Sequence, residues 1–474
     1  MSSLPPALLK SLQSLPGFDQ SGFEAVHASG EQVTSIRFNP AKVSITNNEQ
    51  GTLNKEWFGI GTHHSQVTTR IPWSSYGYYL NERPSFTFDP LFHAGTYYVQ
   101  EASSMFLEQA IKQTMDIKQP LRVLDLCAAP GGKSTLLQSM LNEESLLVSN
   151  EVIKSRAAIL EENLVKWGAA NVVITNNDPV HFARLENYFD AIVIDAPCSG
   201  SGLFRRDPFA IDEWSENNVA LCSQRQQRII ADVWPALKQD GMLIYSTCSY
   251  SAAEDEHILD WMHETFGVES KSLQLAHDWH ITETFSEKHH GAGYRFYPDK
   301  IKGEGFFIAV VQKKSGAASA AARPGKSRLE QLTKAEEMIV QNWLKEEHGM
   351  VLFKQHDNII ALPSGMEKDI PVLKSALYLK NAGVTTGKIA GKDFIPGHAL
   401  AMSSLTNENI PRIELEQQQA LQYLRRDEFR LDASQKGWSL VTYQQQHLGW
   451  IKILPGRFNN YYPKEWRIIK QLPV

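Results

Sequence analysis

Between residues 121 and 312 short apolar runs alternate with amphipathic stretches, the pattern of a mainly parallel sheet covered by helices. Five strands are predicted: LRVLDLCA from Leu121, LLVSNEV from Leu146, NVVITNND from Asn171, FDAIVIDAP from Phe189 and MLIYSTCSY from Met242. Helical spacing fills 133–141, 154–167 and 217–237, and a further helix starts near Glu254. YRFYP and GFFIAVVQ read as a closing pair of strands. The pattern assigns 105–313 to a central α/β domain and 1–104 to a mixed α+β extension with many turn signals and an aromatic cluster from Trp57 to Tyr98. The small and basic residues KKSGAASAAARPGKSR mark a linker over 314–330. A helical or mixed connecting region is expected over 331–384, where Thr333 and Glu336 form a capping box, Ile339 and Trp343 share one helical face and Gly349 supplies a stop. A β-rich domain is expected over 385–474.

The 474 residues have room for several such domains. At 42% hydrophobic and 21% charged residues, the composition excludes a disordered, collagenous or coiled-coil protein. No apolar run reaches the ~18 residues of a membrane span, and MSSLPPALLKSLQSLPGF lacks a secretory layout, so a cytoplasmic protein without membrane contact is expected. The four cysteines form no CxxC pair, and the pairs His63-His64 and His289-His290 lack ligand spacing. Reduced thiols and no metal are the expectation. The net charge of −6 argues against a chain basic throughout, so the balance is read by region.

The first strand, ending at Asp125, breaks into Cys127-Ala128-Ala129-Pro130-Gly131-Gly132-Lys133-Ser134-Thr135. A small-residue turn between strand and helix lets a ligand approach the backbone. A phosphate-binding loop would fit GGKST except that Cys127 stands at its first glycine. A nucleoside cofactor instead needs a carboxylate about 20 residues on for the ribose. Glu151 stands 20 residues after Gly131, Asp178 ends the third strand where an adenine amino group would be met, and Asp195 ends the fourth. Singly each acid is as readily a helix cap. Together the four carboxylates favour a cationic nucleoside, S-adenosylmethionine.

Cys198 and Cys248 follow the fourth and fifth strands, where a substrate would meet a methyl donor. Cys222, mid-helix, reads as a small buried hydrophobe. Thiolate formation needs a neighbouring cation or hydrogen-bond partner, for which Arg205, Arg206 and Lys133 are candidates. Carbon 5 of a pyrimidine is alkylated only after a thiolate adds to carbon 6. A carboxyl group at ring nitrogen 3 aids that addition, and Asp195 is positioned for it. The C5 proton must then leave before the thiol is eliminated, and a second thiol can assist. Chemistry alone leaves open which cysteine attacks.

The segments DLCAAPGGKST, DAPCSGSGLFRRDP and YSTCSYSAAEDE, in this order and preceded by AGTYYVQEASSM, resemble the Nop2/Sun family of RNA (cytosine-5) methyltransferases over about 92–312. The resemblance implies a Rossmann-like S-adenosylmethionine-dependent methyltransferase sheet, a cofactor set of Cys127 to Lys133 with Glu151, Asp178 and Asp195, Cys248 as nucleophile and Cys198 for product release. IPGHALAM and HLGWIKILPGRFNNYYPKEW resemble the C-terminal region of the bacterial ribosomal RNA small-subunit methyltransferase F group, implying a PUA-like RNA-binding module over 385–474. From Lys436 onward six basic residues (Lys436, Lys452, Arg457, Lys464, Arg467, Lys470) face one acid, Glu465, among Trp438, Tyr443, Trp450, Phe458, Tyr461, Tyr462 and Trp466. That mixture suits phosphate neutralisation and base stacking, although each ring is more readily core. The expected function is methylation of carbon 5 of a cytidine in small-subunit ribosomal RNA, free or in the subunit, by a monomer, with the 1–104 extension as a further candidate RNA contact. The rivals are a non-catalytic assembly factor, the same chemistry on another RNA such as tRNA, and a P-loop nucleotidase.

Overall fold

The computed structural model describes residues 4–43, 67–314, 329–346, 349–391, 393–431 and 435–471. Trp57, the His63-His64 pair, residues 315–328 of the expected linker and the last three residues lie outside this set.

The parallel sheet is built from β1 (Arg122–Asp125), β2 (Leu146–Asn150), β3 (Val172–Thr175), β4 (Phe189–Asp195) and β5 (Leu237–Thr247). Between them run α1 (Gly132–Met140), α2 (Lys154–Trp167) and α3 (Glu216–Val233). The strand order is β3-β2-β1-β4-β5, all parallel. Because β1 pairs with both β2 and β4, successive connections leave it in opposite directions, and a crevice opens beyond its carboxyl end. Leu124, Leu147, Val148, Val173, Ile192 and Val193 are fully buried, as expected of strands covered on both faces. The helix expected to reach residue 237 stops at Val233. Pro235 has no N–H to continue it, so the chain makes a tight turn and enters β5 before Met242. The sheet extends antiparallel through β6 (Thr282–Phe285), β7 (Ala292–Phe296) and β8 (Phe306–Gln312), with β8 against β5.

The N-terminal extension contains helices Pro6–Leu12 and Gln20–Ala28 and a four-stranded sheet. Leu8, Leu12 and Phe23 pack with Phe204, Tyr250 and Tyr297. These helices therefore brace the segments that follow the two sequence-predicted cysteines.

Beyond the linker the sequence reading needs correction. The strand β9 (Leu379–Ala382) pairs antiparallel with β3 and becomes an edge of the central sheet. Glu330–Gln331, Met350–Gln355, Asn358–Pro363, Val384–Ala390 and Asp393–Pro396 then form one five-stranded sheet. The boundary expected at 384/385 thus runs through a single sheet, because Gly383, at φ +82°, is the one residue between β9 and the strand that begins at Val384. Residues from both sides of that boundary, Ile359, Val384, Phe394 and Trp450 among them, share one core. The capping box at Thr333 is present, but its helix ends at Gln341, short of Trp343 and Gly349. Leu344 bridges to Thr406, which pulls the chain out of the helix and seats Trp343 against Phe394, Trp438 and Trp450.

A second four-stranded sheet is made by Arg412–Glu414, Gly437–Tyr443, Gln446–Leu454 and Arg457–Asn460. Trp450 and Tyr462 are buried, and the other C-terminal aromatics are half-buried against the same cores. Lys436, Arg457, Lys464, Arg467 and Lys470 are exposed, and Lys452 lies over the Trp438 ring. The rings fill the interior and the cations face solvent.

Asn177 clamps the accessory strand. Its Oδ1 accepts from the Tyr378 N–H and its Nδ2 donates to the Tyr378 carbonyl, both at 2.9 Å. Asn177→Ala leaves both backbone groups to find other partners, at a cost of ~1–3 kcal/mol. Amide exchange should therefore quicken over 378–382 and stay unchanged in β1 and β2. Unchanged exchange over 378–382 would show that packing alone docks this strand.

Candidate active site

The crevice beyond β1 is lined by small residues and carboxylates. Gly131 caps α1 at φ +119°, and a Cβ there would find its nearest atoms 3.4 Å away, so conformation rather than space calls for glycine. Ala128 and Ala129 are buried, and the Ala128 N–H donates to the Asn150 carbonyl at 2.8 Å, which draws the loop against the end of β2. A Cβ on Gly132 would meet the Tyr98 ring at 3.3 Å.

Asp125 is fully buried. Its Oδ2 accepts from Ser134 Oγ at 2.7 Å, and its Oδ1 has no partner among the described residues. Burial pushes this carboxyl up to about 7. Cys127 is pushed above the usual thiol range by burial, then by the nearby acids, which keeps it a neutral thiol.

Glu151 is buried, accepting from the Ile153 N–H at 2.9 Å and facing Arg156 Nη1 at 3.4 Å. Arg156 also donates to the Ala129 carbonyl at 2.8 Å, linking Glu151 to the loop. Asp178 accepts from the Val180 N–H at 3.1 Å, so it performs the capping role. Half-buried Asp195 accepts from Lys133 Nζ at 2.8 Å and from Ser246 Oγ at 2.9 Å. The lysine that a phosphate-binding loop would aim at phosphates is thus paired with a carboxylate. An orphan carboxylate oxygen, three further acids and a small-residue loop form a donor set that fits a cationic nucleoside.

Sequence reasoning missed the amides that space these acids. Asn150 Nδ2 donates to the carbonyls of Leu126 and Asn177, and its Oδ1 accepts from Thr175 Oγ1 and the Asn177 N–H, all within 2.8–3.1 Å. The available signal was an asparagine immediately before Glu151 and another before Asp178.

On the other side of the crevice, Cys198 Sγ and Cys248 Sγ lie 3.0 Å apart, both free and half-buried. Asp195 pairs in register with Ser246, so the turns leaving β4 and β5 begin side by side. The hydrogen bond to Cys248, followed by burial, pushes the Cys198 thiol well above its usual range and keeps its proton in place. The cation expectation needs correction. Arg205 donates to the carbonyls of Gly303 and Glu31 and faces Glu304 at 3.7 Å, while Lys133 is held by Asp195. Arg206 is exposed. Cys222 is buried inside α3, and His289 and His290 are exposed. Among the described residues no group of His, Cys, Asp and Glu has the geometry to hold a metal, and no helix is long and apolar enough to cross a membrane.

The family model for the 16S rRNA methyltransferase RsmB/F matches residues 112–312. The models for the RsmF N-terminal domain and the RsmF PUA domain match 4–102 and 410–468. Ribosomal RNA small subunit methyltransferase F of Escherichia coli O139:H28 is 30% identical over 451 residues, covering 91% of this chain and 89% of the relative. The chain belongs to the 16S rRNA methyltransferase RsmB/F family. The Shewanella loihica methyltransferase F is 28% identical over 93% of this chain and 92% of its own length. Among solved structures, a methyltransferase homolog protein from Pyrococcus horikoshii is 27% identical with a TM-score of 0.50, covering 65% of this chain and all of the other. NSun6 from Pyrococcus horikoshii with SFG shares the fold at 20% identity and a TM-score of 0.52, over 66% of this chain and 99% of that one. As a member of the RsmB/F family the chain is an S-adenosylmethionine-dependent rRNA methyltransferase, with a PUA domain at its C-terminal end.

Asp125 gives the site a pH signature. Its carboxyl holds a proton up to about 7 when folded but only to 3.8 in an unperturbed chain, so the native state carries the extra proton between these values. Stability drawn from Asp125 is therefore lost as pH rises through that window. Asp125→Asn does not titrate, so its stability relative to wild type should climb from pH 4 to about 7 and level off above. Urea denaturation across this range checks the slope, and a flat difference would place Asp125 in contact with water.

Proposed function

We propose that this enzyme methylates carbon 5 of a cytidine in small-subunit ribosomal RNA through a covalent cysteine–cytosine adduct. The observation that carries the reading is the pair of free thiols 3.0 Å apart, on strand ends that also bear Asp195. A single thiol beside a methyl donor would suit many acceptors. Two thiols in contact suit a substrate that must be attacked and then released.

The loop from Cys127 to Lys133 cradles the cofactor, Glu151 takes its ribose hydroxyls and Asp178 its adenine amino group. When bound, S-adenosylmethionine would supply an electrophilic methyl group. Asp195, set in place by Lys133 and Ser246, takes the Cys248 proton and donates it to nitrogen 3 of the base. Cys248, its S–H bond broken by that transfer, adds through Sγ to carbon 6, and the electron pair released into the ring makes carbon 5 nucleophilic. After carbon 5 has been methylated its proton passes to solvent water, the electron pair of that C–H bond re-forms the C5–C6 double bond, the C6–S bond breaks with its pair returning to sulfur, and the proton on nitrogen 3 returns to that sulfur through Asp195. Cys198, kept protonated beside Cys248, assists that release. The exposed basic residues of the PUA domain hold phosphates of the RNA, which the small-subunit target of the curated relatives supports.

The two thiols separate experimentally. Cys248→Ala should abolish both methyl transfer and any covalent complex, whereas Cys198→Ala should permit transfer and accumulate protein bound to RNA, seen as a denaturant-resistant band. A band that builds up with Cys248→Ala would reverse the roles. Glu151→Ala and Asp178→Ala each remove a charge-assisted hydrogen bond, so calorimetric affinity for S-adenosylmethionine should fall by roughly tenfold to a hundredfold. Undiminished binding in both would remove these residues from the pocket.

A further inference from the structure

We propose that Glu254 is a positioning residue that sets the separation of the two thiols, joining the turn after β4 to the turn after β5 through one buried carboxylate. Glu254 is fully buried, and no ion pair to it is formed among the described residues. Its Oε1 accepts from the Ser199 N–H at 2.8 Å and from Gln226 Nε2 at 3.1 Å. Its Oε2 accepts from Ser199 Oγ at 2.5 Å and Ser249 Oγ at 2.7 Å. Ser199 directly follows Cys198, and Ser249 directly follows Cys248. The same oxygen therefore fixes the neighbour of each sulfur.

Glu254 is anchored in its turn. Its carbonyl accepts from Tyr245 Oη at 2.6 Å, tying it to β5, and Gln226 reaches it from α3 while also donating to the Pro197 carbonyl. Other bonds join the two turns farther along: Gly202 N–H to the Cys248 carbonyl at 2.8 Å, and Tyr250 N–H to Ser201 Oγ at 2.9 Å. Those bonds align the backbones. The Glu254 carboxylate acts on the residues adjacent to the thiols and touches no reacting atom itself.

A carboxylate buried without a cation is costly unless several donors replace its water, and four do so here. The pattern also defines which substitution preserves it. A glutamine with Oε1 in place keeps the Ser199 N–H and Gln226, and its amide N–H groups can donate to the two serine hydroxyls once these rotate to accept. Alanine leaves all four donors without their acceptor.

The catalytic consequence rests on the thiol roles proposed above, but the separation can be tested without RNA. Full-length wild type, Glu254→Ala, Glu254→Gln and Ser249→Ala are treated with diamide, which accepts the two electrons and two protons released as Cys198 and Cys248 join. The linked peptide is timed by mass spectrometry. Held at contact, the wild-type thiols should link fast. Glu254→Ala should slow linkage by about tenfold or more, and Glu254→Gln should restore it to within about twofold, because the rate follows the effective concentration of one thiol at the other. Ser249→Ala, a small change at one tether, should fall between. Calorimetric affinity for S-adenosylmethionine should be equal in all four, and kcat for multiple turnover, which includes release from the adduct, should follow the linkage rate. Wild-type linkage in both Glu254→Ala and Ser249→Ala would overturn the proposal, as would a Glu254→Gln variant as slow as alanine, since the charge rather than the tether would then matter. Should carbon 5 prove not to be the target, the linkage rates still decide whether Glu254 sets the separation.

Discussion

The site depends on the parallel pairing of β4 and β5, which aligns Asp195 with Ser246 and makes the two strands end together. Two turns leaving a sheet at one level, with a cysteine three residues past Asp195 and another two past Ser246, bring sulfur to sulfur without any long-range search. Everything around the turns opposes their drift. The N-terminal helices press Phe23 on Tyr250, and Arg295 donates to the Tyr250 carbonyl while forking onto Glu256. Thr247 donates to Asp255. Cys248 is thus flanked on both sides by residues fixed from elsewhere, which is how a reactive group is held ready on a rigid frame.

The crevice divides its electrostatics between its two sides. Toward β1–β3 lie Asp125 and Glu151, both buried, and burial, with the charges of Asp195 and Glu151 adding to it, raises Asp125. Toward β4 and β5 it offers two thiols in contact. Lys133 joins the two sides, since it follows the small-residue loop and holds Asp195 at the end of β4. The accessory strand β9 adds a mechanical link, because Asn177, which clamps it, is also bonded to Asn150 in the row of strand ends that carries Asp125, Glu151 and Asp178.

Much of this was legible in the chain because it is local. Apolar runs bounded by small residues gave β1 to β5, and the spacing from Gly131 to Glu151 follows from one helix and one strand of ordinary length. RsmB/F membership agrees with the resemblance carried by three consecutive motifs. What the chain did not disclose is set by contacts distant in sequence. Nothing near Leu379 announces that it will pair with β3 some two hundred residues earlier, and so the connecting region was read as a separate, partly helical piece. Arg205 follows Cys198 by seven residues in the sequence yet turns to Glu304 and Gly303 in the fold. Glu254 lay in an acid-rich run that reads as a helix start, and its role is visible only once Ser199 arrives from another turn. In the C-terminal sheets two of the aromatics that suggested base stacking, Trp450 and Tyr462, are buried and the other five are half-buried, while every cation but Lys452 is exposed, an outcome that alternation along a strand permits but does not specify.

The central claim is that carbon 5 of cytidine is attacked through an adduct whose resolution expels the C5 proton. Small ribosomal subunit RNA carrying tritium at carbon 5 of its cytidines, incubated with the enzyme and S-adenosylmethionine, reads that step directly. Tritium should appear in water in one-to-one proportion with methyl groups incorporated. Methyl incorporation with the tritium retained would contradict the account, since it would place the methyl group on an atom that needs neither the adduct nor the second thiol.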